Sequence, residues 1–349
     1  MDNKSKEVKK ENFFKRKNIE ISVQRYLIDA LSFMALGLFS SLIIGSILNI
    51  LGGKLGITLF TETIWPIARQ MTGPAIAVAV AYGLQAPPLV IFASTLTGAA
   101  GGALGGPVGA FLAGVAGAEF GKMVSKETKV DIIVTPAVTI IVGCLVGQFV
   151  GPGVAAFMSG FGNLIMYATE LQPIPMGILV SVLMGIALTL PISSAAIGIM
   201  LGLSGIAAGA ATVGCAAQMV GFAVMSFKEN GWGGLFAQGL GTSMLQVPNI
   251  VKNWKIWIPP ILTSAILGPL ATVVFNMENT PIGSGMGTSG FVGQFGTVAA
   301  MEAAGKGGGS MYFAIILLHF VLPIVLTLLI SNFMRKKGHI KENDLKLDL

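Results

Sequence analysis

The chain has little charge, little histidine and little cysteine for its length. Of its 349 residues, 11% are charged, and only two are histidines and two are cysteines. Soluble domains carry about 25% charged residues, so this composition excludes an ordinary soluble globular protein. Cys144 and Cys215 both lie in apolar surroundings, and we interpret them as small buried side chains rather than as a disulfide or a reactive thiol.

The sequence also lacks the motifs of several enzyme classes. It has no Walker A motif, no HExxH, no paired-cysteine metal spacing and no Ser/His/Asp arrangement. Gly285, Gly287 and Gly290 form a G-x-G-x-x-G pattern, but no strand is predicted before it and no acidic residue lies about twenty positions further on. Nothing here favours a hydrolase, an ATPase or a metalloenzyme, and we predict no metal and no cofactor.

What the chain has in excess is apolar residues and glycine. Hydrophobic residues make up 53% of it, its mean hydropathy is +0.79, and it contains 47 glycines. These values predict an all-α polytopic membrane protein, with about eight to ten transmembrane helices and two re-entrant hairpins. The predicted membrane segments are residues 26–51, 58–82, 89–124, 131–150, 152–166, 173–190, 199–227, 256–275 and 311–333.

Most positive charge is concentrated at the two ends of the chain. The net charge is +6, with a basic run before residue 26 and a second one after residue 334. Positive flanks stay on the cytoplasmic side, so both termini are predicted inside, and Lys122, Lys126 and Lys129 suggest a cytoplasmic loop. We divide the chain into a basic cytoplasmic segment (1–25), an N-terminal membrane half (26–170), a C-terminal membrane half (171–334) and a cytoplasmic tail (335–349).

A polar, glycine-rich stretch interrupts the second half. Residues 276–290 read NMENTPIGSGMGTSG, which is too rich in glycine and proline for one spanning helix. Irregular backbone survives at membrane depth only inside protein or beside water, so we predict a re-entrant hairpin that offers free main-chain groups to a substrate. Its candidate substrate-binding side chains are Glu278, Asn279, Thr280, Ser284, Thr288, Ser289 and Gln294.

This set of side chains suits a neutral, polyhydroxylated solute. A sugar needs many neutral donors and acceptors, together with one or two carboxylates that accept from adjacent hydroxyls. Because a carboxylate is costly inside a membrane, Glu278 is a functional candidate. The alternative is that Glu278 ends a loop in contact with water.

Two further features are open to more than one interpretation. A second polar insertion, AQGLGTSMLQVPN (237–249), contributes Gln246 and Asn249 if it faces the hairpin across a cavity. It is otherwise an ordinary cytoplasmic loop. His319, inside the last predicted span, either binds substrate or relays protons, or it simply donates to a neighbouring helix.

These features together carry a family resemblance from about Arg25 to Phe333. The glycine-rich apolar pattern, the break TLPISSAAIGI (189–199) and the motif ENTPIGSGMGTSGFVGQ (278–294) resemble the membrane-embedded IIC component of the phosphoenolpyruvate-dependent sugar phosphotransferase system, in its glucose-type superfamily. The chain is most similar to the stand-alone IIC-like branch that includes a clostridial toxin-regulator membrane protein.

The resemblance implies an elevator-type homodimer. The N-terminal helices would form the dimer contact, and the C-terminal half would carry two re-entrant hairpins and move to expose the sugar. A Glu beside a Thr and a Pro, here Glu278, would bind sugar hydroxyls. Separate IIA and IIB proteins would supply the phosphoryl group on the cytoplasmic side.

Three departures from the family pattern concern the chemistry. Thr280, not a Glu, directly precedes Pro281, and Glu278 lies three residues before that proline. Residues 27–318 contain no histidine to match the sugar-site histidine of the family. No IIA or IIB module is fused, so we find no phosphoryl-accepting residue in a soluble domain, and whether the chain takes part in enzymatic phosphotransfer stays open.

The sequence therefore favours a sugar-translocating IIC permease subunit in a bacterial cell membrane. Two alternatives remain. One is a membrane-embedded sensor or regulator that signals through its tails, and the other is a facilitator that transports without phosphorylation. No nucleic-acid partner is predicted.

Overall fold

The computed structural model describes residues 13–347, so the first twelve residues of the predicted basic segment and the last two of the tail lie outside it. The described residues fold mainly into helices, and the only β-type pairing among them is an isolated bridge between Gly205 and Asn279. The helices of seven or more residues that we number are α1 Gln24–Gly53, α2 (59–70), α3 Thr72–Gly83, α4 Pro88–Val124, α5 Asp131–Thr169, α6 Pro173–Thr189, α7 Ser194–Met200, α8 Gly205–Met225, α9 Phe227–Phe236, α10 Trp254–Val274, α11 Val292–Ala303 and α12 Gly309–Lys336. Shorter helical pieces lie at Phe13–Arg16, Ser243–Gln246, Val247–Lys252, Pro281–Ser284 and Ser289–Phe291.

Six of these helices are long and apolar enough to cross a membrane. They are α1, α4, α5, α8, α10 and α12, and α3 and α6 are two shorter apolar helices. Apolar helices of about twenty residues match the thickness of the hydrocarbon core. The prediction of an all-α polytopic membrane protein is confirmed.

Helix α4 is folded back on itself. Gly106 has φ 57° and ψ −148°, a conformation that essentially only glycine adopts. A Cβ on Gly101 would lie 2.3 Å from the carbonyl oxygen of Gly109, whereas eight residues of continuous helix would separate these positions by about 12 Å. The α4 segment is thus a helical hairpin with two arms of about 27 Å each, and Pro107 starts the second arm.

Helix α5 joins two segments that were predicted separately. It runs for 39 residues and keeps Pro136 and Pro152 inside it. Proline removes one backbone hydrogen bond, but in membrane helices neighbouring groups satisfy the freed carbonyl, so the helix continues. Its length of about 58 Å exceeds the hydrocarbon thickness. It is also about twice the length of each arm of α4, so only the first part of α5 packs against α4 and the rest extends beyond it.

The end of α4 carries a buried ionic cluster. Lys122 is 2% exposed, lies 2.8 Å from Glu119 and donates to the carbonyl oxygen of Leu84 at 3.1 Å. Arg25 lies 3.6 Å from the same carboxylate and donates to the same carbonyl at 2.9 Å. Lys122 is therefore a buried residue of α4 that binds the end of α3. The prediction that it lies in a cytoplasmic loop is not met.

In the C-terminal half, hydrogen bonds between helix ends show in which direction each helix runs. Arg335 donates to the carbonyl oxygen of Met225 at 3.0 Å, so α8 and α12 end on the same side, which we call the tail side. Thr272 donates to the carbonyl oxygen of Pro173 at 2.8 Å, so α10 ends where α6 begins, on the opposite side, which we call the hairpin side. Helices α6 and α8 run from the hairpin side towards the tail side, and α10 returns.

Candidate functional site

The predicted hairpin starts at residue 276 and, in the structure, runs to the end of α11 at Ala303, so that it enters and leaves on the same side. Near its start, the amide of Asn279 donates to the carbonyl oxygen of Gly205, the first residue of α8, at 3.2 Å. Its tip lies against the middle of α8, where a Cβ on Gly287 would be 2.7 Å from the carbonyl carbon of Cys215. Since Cys215 is about 15 Å along α8 from Gly205, the tip reaches roughly half the depth of a spanning helix. This is the path expected of a re-entrant hairpin.

Asn279 ties the two arms of the hairpin to α8. Its side-chain nitrogen donates to Thr212 Oγ1 at 2.5 Å, to the carbonyl oxygen of Gly293 at 2.9 Å and to Thr297 Oγ1 at 3.0 Å. Its side-chain oxygen accepts from the amide of Thr280 at 2.7 Å. The side chain is 1% exposed, and every polar atom in it is paired, so it holds the hairpin in shape.

Three other hairpin hydroxyls are also hydrogen-bonded within the protein. Thr280 Oγ1 accepts from the amide of Gly283 at 3.2 Å and caps the short helix Pro281–Ser284. Ser284 Oγ donates to the carbonyl oxygen of Pro281 at 2.8 Å. Thr288 Oγ1 donates to the carbonyl oxygen of Gly239 at 2.5 Å. In this conformation, the first two hydroxyls stabilise the descending arm, and the third joins the tip to the second polar insertion.

In the structure, that second insertion extends over residues 227–253, and it begins and ends on the tail side. It starts directly after α8, and Asn253 near its end donates to the carbonyl oxygen of His339 in the tail at 3.1 Å. Its turn reaches the hairpin tip through Gly239, and Gly241 packs tightly against the ring of Phe39 in α1. Two glycine-rich interruptions from opposite sides therefore meet inside the protein.

Near the hairpin tip, three buried side-chain atoms have no hydrogen-bond partner within residues 13–347. They are Ser289 Oγ, Gln294 Oε1 and His319 Nε2. Gln294 Nε2 lies 3.0 Å from His319 Nδ1. Because an amide nitrogen only donates, Nδ1 accepts and Nε2 carries the imidazole proton. The pair therefore presents one free donor on His319 and one free acceptor on Gln294. Ser289, the neighbour of Thr288 at the tip, adds a free hydroxyl.

Glu278 lies at the start of the hairpin, on the hairpin side, rather than at the tip. Its carboxylate pairs with Lys306 at 2.5 Å, and the two side chains are 23% and 41% exposed. In this conformation, Glu278 therefore faces partly into solvent, with a cation as its partner.

Gln246 and Asn249 contact the tail of the protein. Gln246 Nε2 donates to the carbonyl oxygen of Leu345 at 3.0 Å, and Asn249 Nδ2 donates to that of Lys346 at 2.8 Å. Neither side chain is hydrogen-bonded to the hairpin. The contact between insertion and hairpin is made by the main chain at Gly239 instead.

Sequence reasoning missed one buried amide of the same kind. Gln218 is fully buried in α8, its oxygen accepts from Trp257 at 2.9 Å and from Thr189 at 3.2 Å, and its nitrogen has no partner in the described part of the chain. A lone glutamine in the apolar run IAAGAATVGCAAQMVGFAVM was the available signal. Among the described residues, no group of three or more His, Cys, Asp or Glu side chains is placed to hold a metal ion.

Comparison with known proteins supplies the family. A family model described as "Phosphotransferase system, EIIC" matches residues 28–347, which is nearly the whole chain. No curated protein and no solved structure shows significant similarity to it. Members of this family are membrane-embedded permease subunits that act on sugars together with IIA and IIB proteins. The chain therefore belongs to the EIIC family of the phosphotransferase system and is a membrane permease subunit of sugar transport.

Proposed function

We propose that the junction between the hairpin tip and the insertion binds a sugar and passes it across the membrane. The observation that carries this proposal is the set of unpaired buried atoms on Ser289, Gln294 and His319. An unsatisfied buried polar atom costs about 1–3 kcal/mol. Native proteins keep few of these atoms without a reason, and a ligand that pairs with them is such a reason.

The chemistry of the free atoms fits hydroxyl groups. A sugar hydroxyl both donates and accepts, so it can pair with the free acceptor of Gln294 and with the free donor of His319. All three side chains are neutral in this arrangement, which suits a neutral solute better than an anion or a cation. In our proposal Asn279, Thr280, Ser284 and Thr288 shape the hairpin, and Ser289, Gln294 and His319 contact the sugar.

Glu278 is proposed to meet the solute at the hairpin-side opening after releasing Lys306. A hydrogen bond to a charged group contributes about 1.5–3 kcal/mol, so Glu278→Gln should weaken binding by about ten- to hundredfold. Lys306→Met is the matched control because it breaks the same ion pair and leaves the carboxylate free. If Glu278→Gln binds the solute with the same affinity as Lys306→Met, the carboxylate does not contact the solute.

The setting we propose is a bacterial cell membrane, with both termini in the cytoplasm and two copies forming a homodimer. The basic residues before α1 and after α12 favour this orientation by the positive-inside rule. Phosphorylation is assigned to separate IIA and IIB proteins, since no phosphoryl-accepting residue was identified in this chain. With this orientation, the tail side is cytoplasmic.

Uptake by purified protein in liposomes tests the proposal. A panel of radiolabelled hexoses, hexitols, amino sugars and disaccharides is offered with and without a IIB protein and its phosphoryl donor. Uptake of one sugar that is lost in Gln294→Leu supports the site. Uptake of an unmodified sugar without any IIB indicates a facilitator. Binding without flux indicates a sensor, and neither binding nor flux across the panel would refute the proposed solute class.

A further inference from the structure

The segment after the last helix folds back onto the tail side of the protein. Helix α12 ends at Lys336, and of the residues that follow, Ile340 and Leu345 are 2% and 0% exposed. Both pack in an apolar cluster with Phe222 and Met225 of α8. A tail held only by its covalent link to α12 would leave these side chains in solvent, so this segment is docked.

Side-chain amides of the insertion hold the main chain of the tail. Asn230 Nδ2 donates to the carbonyl oxygen of Leu345 at 2.8 Å, and Asn230 Oδ1 accepts from the amide of Leu347 at 2.8 Å. Gln246 Nε2 donates to the same carbonyl oxygen of Leu345 at 3.0 Å. The main-chain groups of Leu345 and Leu347 are thus hydrogen-bonded by side chains of the insertion.

Two more amide side chains of the insertion contact the same segment, and one of them reaches back to the start of the tail. Asn249 Nδ2 donates to the carbonyl oxygen of Lys346 at 2.8 Å. Asn253 Nδ2 donates to the carbonyl oxygen of His339 at 3.1 Å and to Asp344 Oδ2 at 2.7 Å. Since four amide side chains of the insertion contact residues 339–347, we call this segment the clasp.

A short chain of hydrogen bonds leads from the clasp to the hairpin tip. Gln246 Nε2 also donates to Gln238 Oε1 at 2.8 Å, and Gln238 Nε2 donates to the carbonyl oxygen of Gly234 at 2.9 Å. The next residue, Gly239, accepts from Thr288 at the tip. The clasp is therefore linked to the part of the insertion that contacts the hairpin tip at Thr288.

The clasp also contacts the N-terminal half. Leu347 packs against the apolar cluster that contains Ala30 and Met34 of α1, and Leu245 of the insertion lies in the same cluster. A small crevice at this place is lined by Ser32 and Leu36 of α1 together with residues of the insertion and the clasp. One short segment thus joins the insertion and α1.

We propose that the clasp is a releasable lock on the tail-side opening, so that the solute leaves on this side only after residues 339–347 have undocked from the insertion. The proposal rests on the proposed function for the identity of the site. The lock itself is defined by contacts that do not depend on which solute is carried. Contacts from neutral amide side chains and two buried apolar side chains suit reversible docking. The one carboxylate among these contacts, Asp344, is only partly buried, so undocking strands no charge in the interior.

Thiol labelling at the hairpin tip tests the lock without a solute. The labelling site is Ser289→Cys, chosen because the serine hydroxyl has no hydrogen-bond partner to lose. It is made in a Cys144→Ala, Cys215→Ala background, so that it is the one cysteine available to the reagent. Inside-out vesicles receive a membrane-impermeant methanethiosulfonate reagent. Adding Leu345→Ala should speed labelling of this cysteine by about tenfold or more, since it opens a fully buried contact. The matched control is Glu342→Ala, an exposed position of the same segment, which should not change the labelling rate.

A second variant and a second measurement guard against misfolding. Asn230→Leu removes both clasp bonds of that side chain from the insertion side and should accelerate labelling in the same direction. Hydrogen exchange of amides 237–247 should accelerate in both variants. If only residues 339–347 exchange faster and the Ser289→Cys labelling rate is unchanged, the clasp is a passive anchor and the proposal is wrong. If labelling depends on the clasp while no sugar is transported, the proposed function fails and the lock stands.

Discussion

Replacing Gln294 and His319 together by apolar side chains is expected to stabilise the protein while abolishing sugar binding. In the wild-type chain, the pair makes one mutual bond of 3.0 Å and leaves two buried atoms unpaired. Gln294→Met with His319→Leu removes all of these polar atoms and keeps the side-chain volumes similar. Replacing both partners of a buried contact by apolar groups can be nearly neutral or stabilising, whereas removing one partner is costly.

The magnitude follows from the atoms involved. Each unpaired buried atom costs about 1–3 kcal/mol, and the retained bond contributes about 1 kcal/mol. The double variant should therefore raise the free energy of unfolding by about 1–5 kcal/mol, less a repacking cost of up to about 1.5 kcal/mol. Each single variant should lower it by about 1 kcal/mol, because the remaining partner gains a new unpaired atom.

The assay is denaturant-induced unfolding in detergent micelles, followed by circular dichroism for the four proteins of this double-mutant cycle. Sugar binding is measured in parallel with whichever compound of the uptake panel is transported. Opposite signs for the single and the double variants, with binding lost in all three, fit the reasoning. A double variant that is less stable than either single variant would show that the two atoms are paired in the native protein, and the argument for a site at the tip would fail.

Three further outcomes are expected. Asn279→Leu should lower the free energy of unfolding by about 2–4 kcal/mol in the same micelle assay, since it leaves the amide of Thr280 without its acceptor, and an undiminished value would contradict the assigned network. Gly214→Ala should cost about 1–3 kcal/mol, since its Cβ would lie 1.9 Å from a carbonyl oxygen of α6, while Gly153→Ala, which meets nothing within 4 Å, should not destabilise. A hydrogen bond from Lys17 holds the pKa of Glu127 below its ordinary value of 4.5. The contact therefore stabilises the folded protein fully at pH values above 4.5, and this stabilisation is lost as the pH falls through the lowered pKa of Glu127. Tryptic cleavage after pulses of decreasing pH should then speed up at Lys17, and a Glu127→Gln variant that keeps the same pH profile would refute this assignment.

Much of the membrane architecture was predictable because its signals are local. A run such as residues 256–275 is apolar over the length of a bilayer, and hydropathy alone indicates that it spans. The interruption at 276–290 was also visible, since proline and several glycines within a few residues cannot form a continuous helix. The polar side chains of that interruption were candidates because polar groups are expensive in lipid.

The partners of those side chains were not predictable. Glu278 and Lys306 are 28 residues apart, and Asn279 meets Thr212 across 67 residues. Gln246 was expected either to face the hairpin or to lie in a loop, and it holds the tail at Leu345. Which pairs meet depends on how helices cross and turn, and no local pattern encodes that.

The sequence by itself determines the class of the protein. The composition and the order of apolar and glycine-rich segments make it a polytopic helical membrane protein with broken helices, because the cost of unpaired backbone groups in lipid acts on each segment separately. Only tertiary packing decided that the segment 88–124 folds back at Gly106, that the hairpin tip meets the insertion at Gly239, and which polar atoms stay unpaired there. A hydrogen bond is formed or left open by atoms that are distant in sequence and brought to within 3 Å by the whole fold.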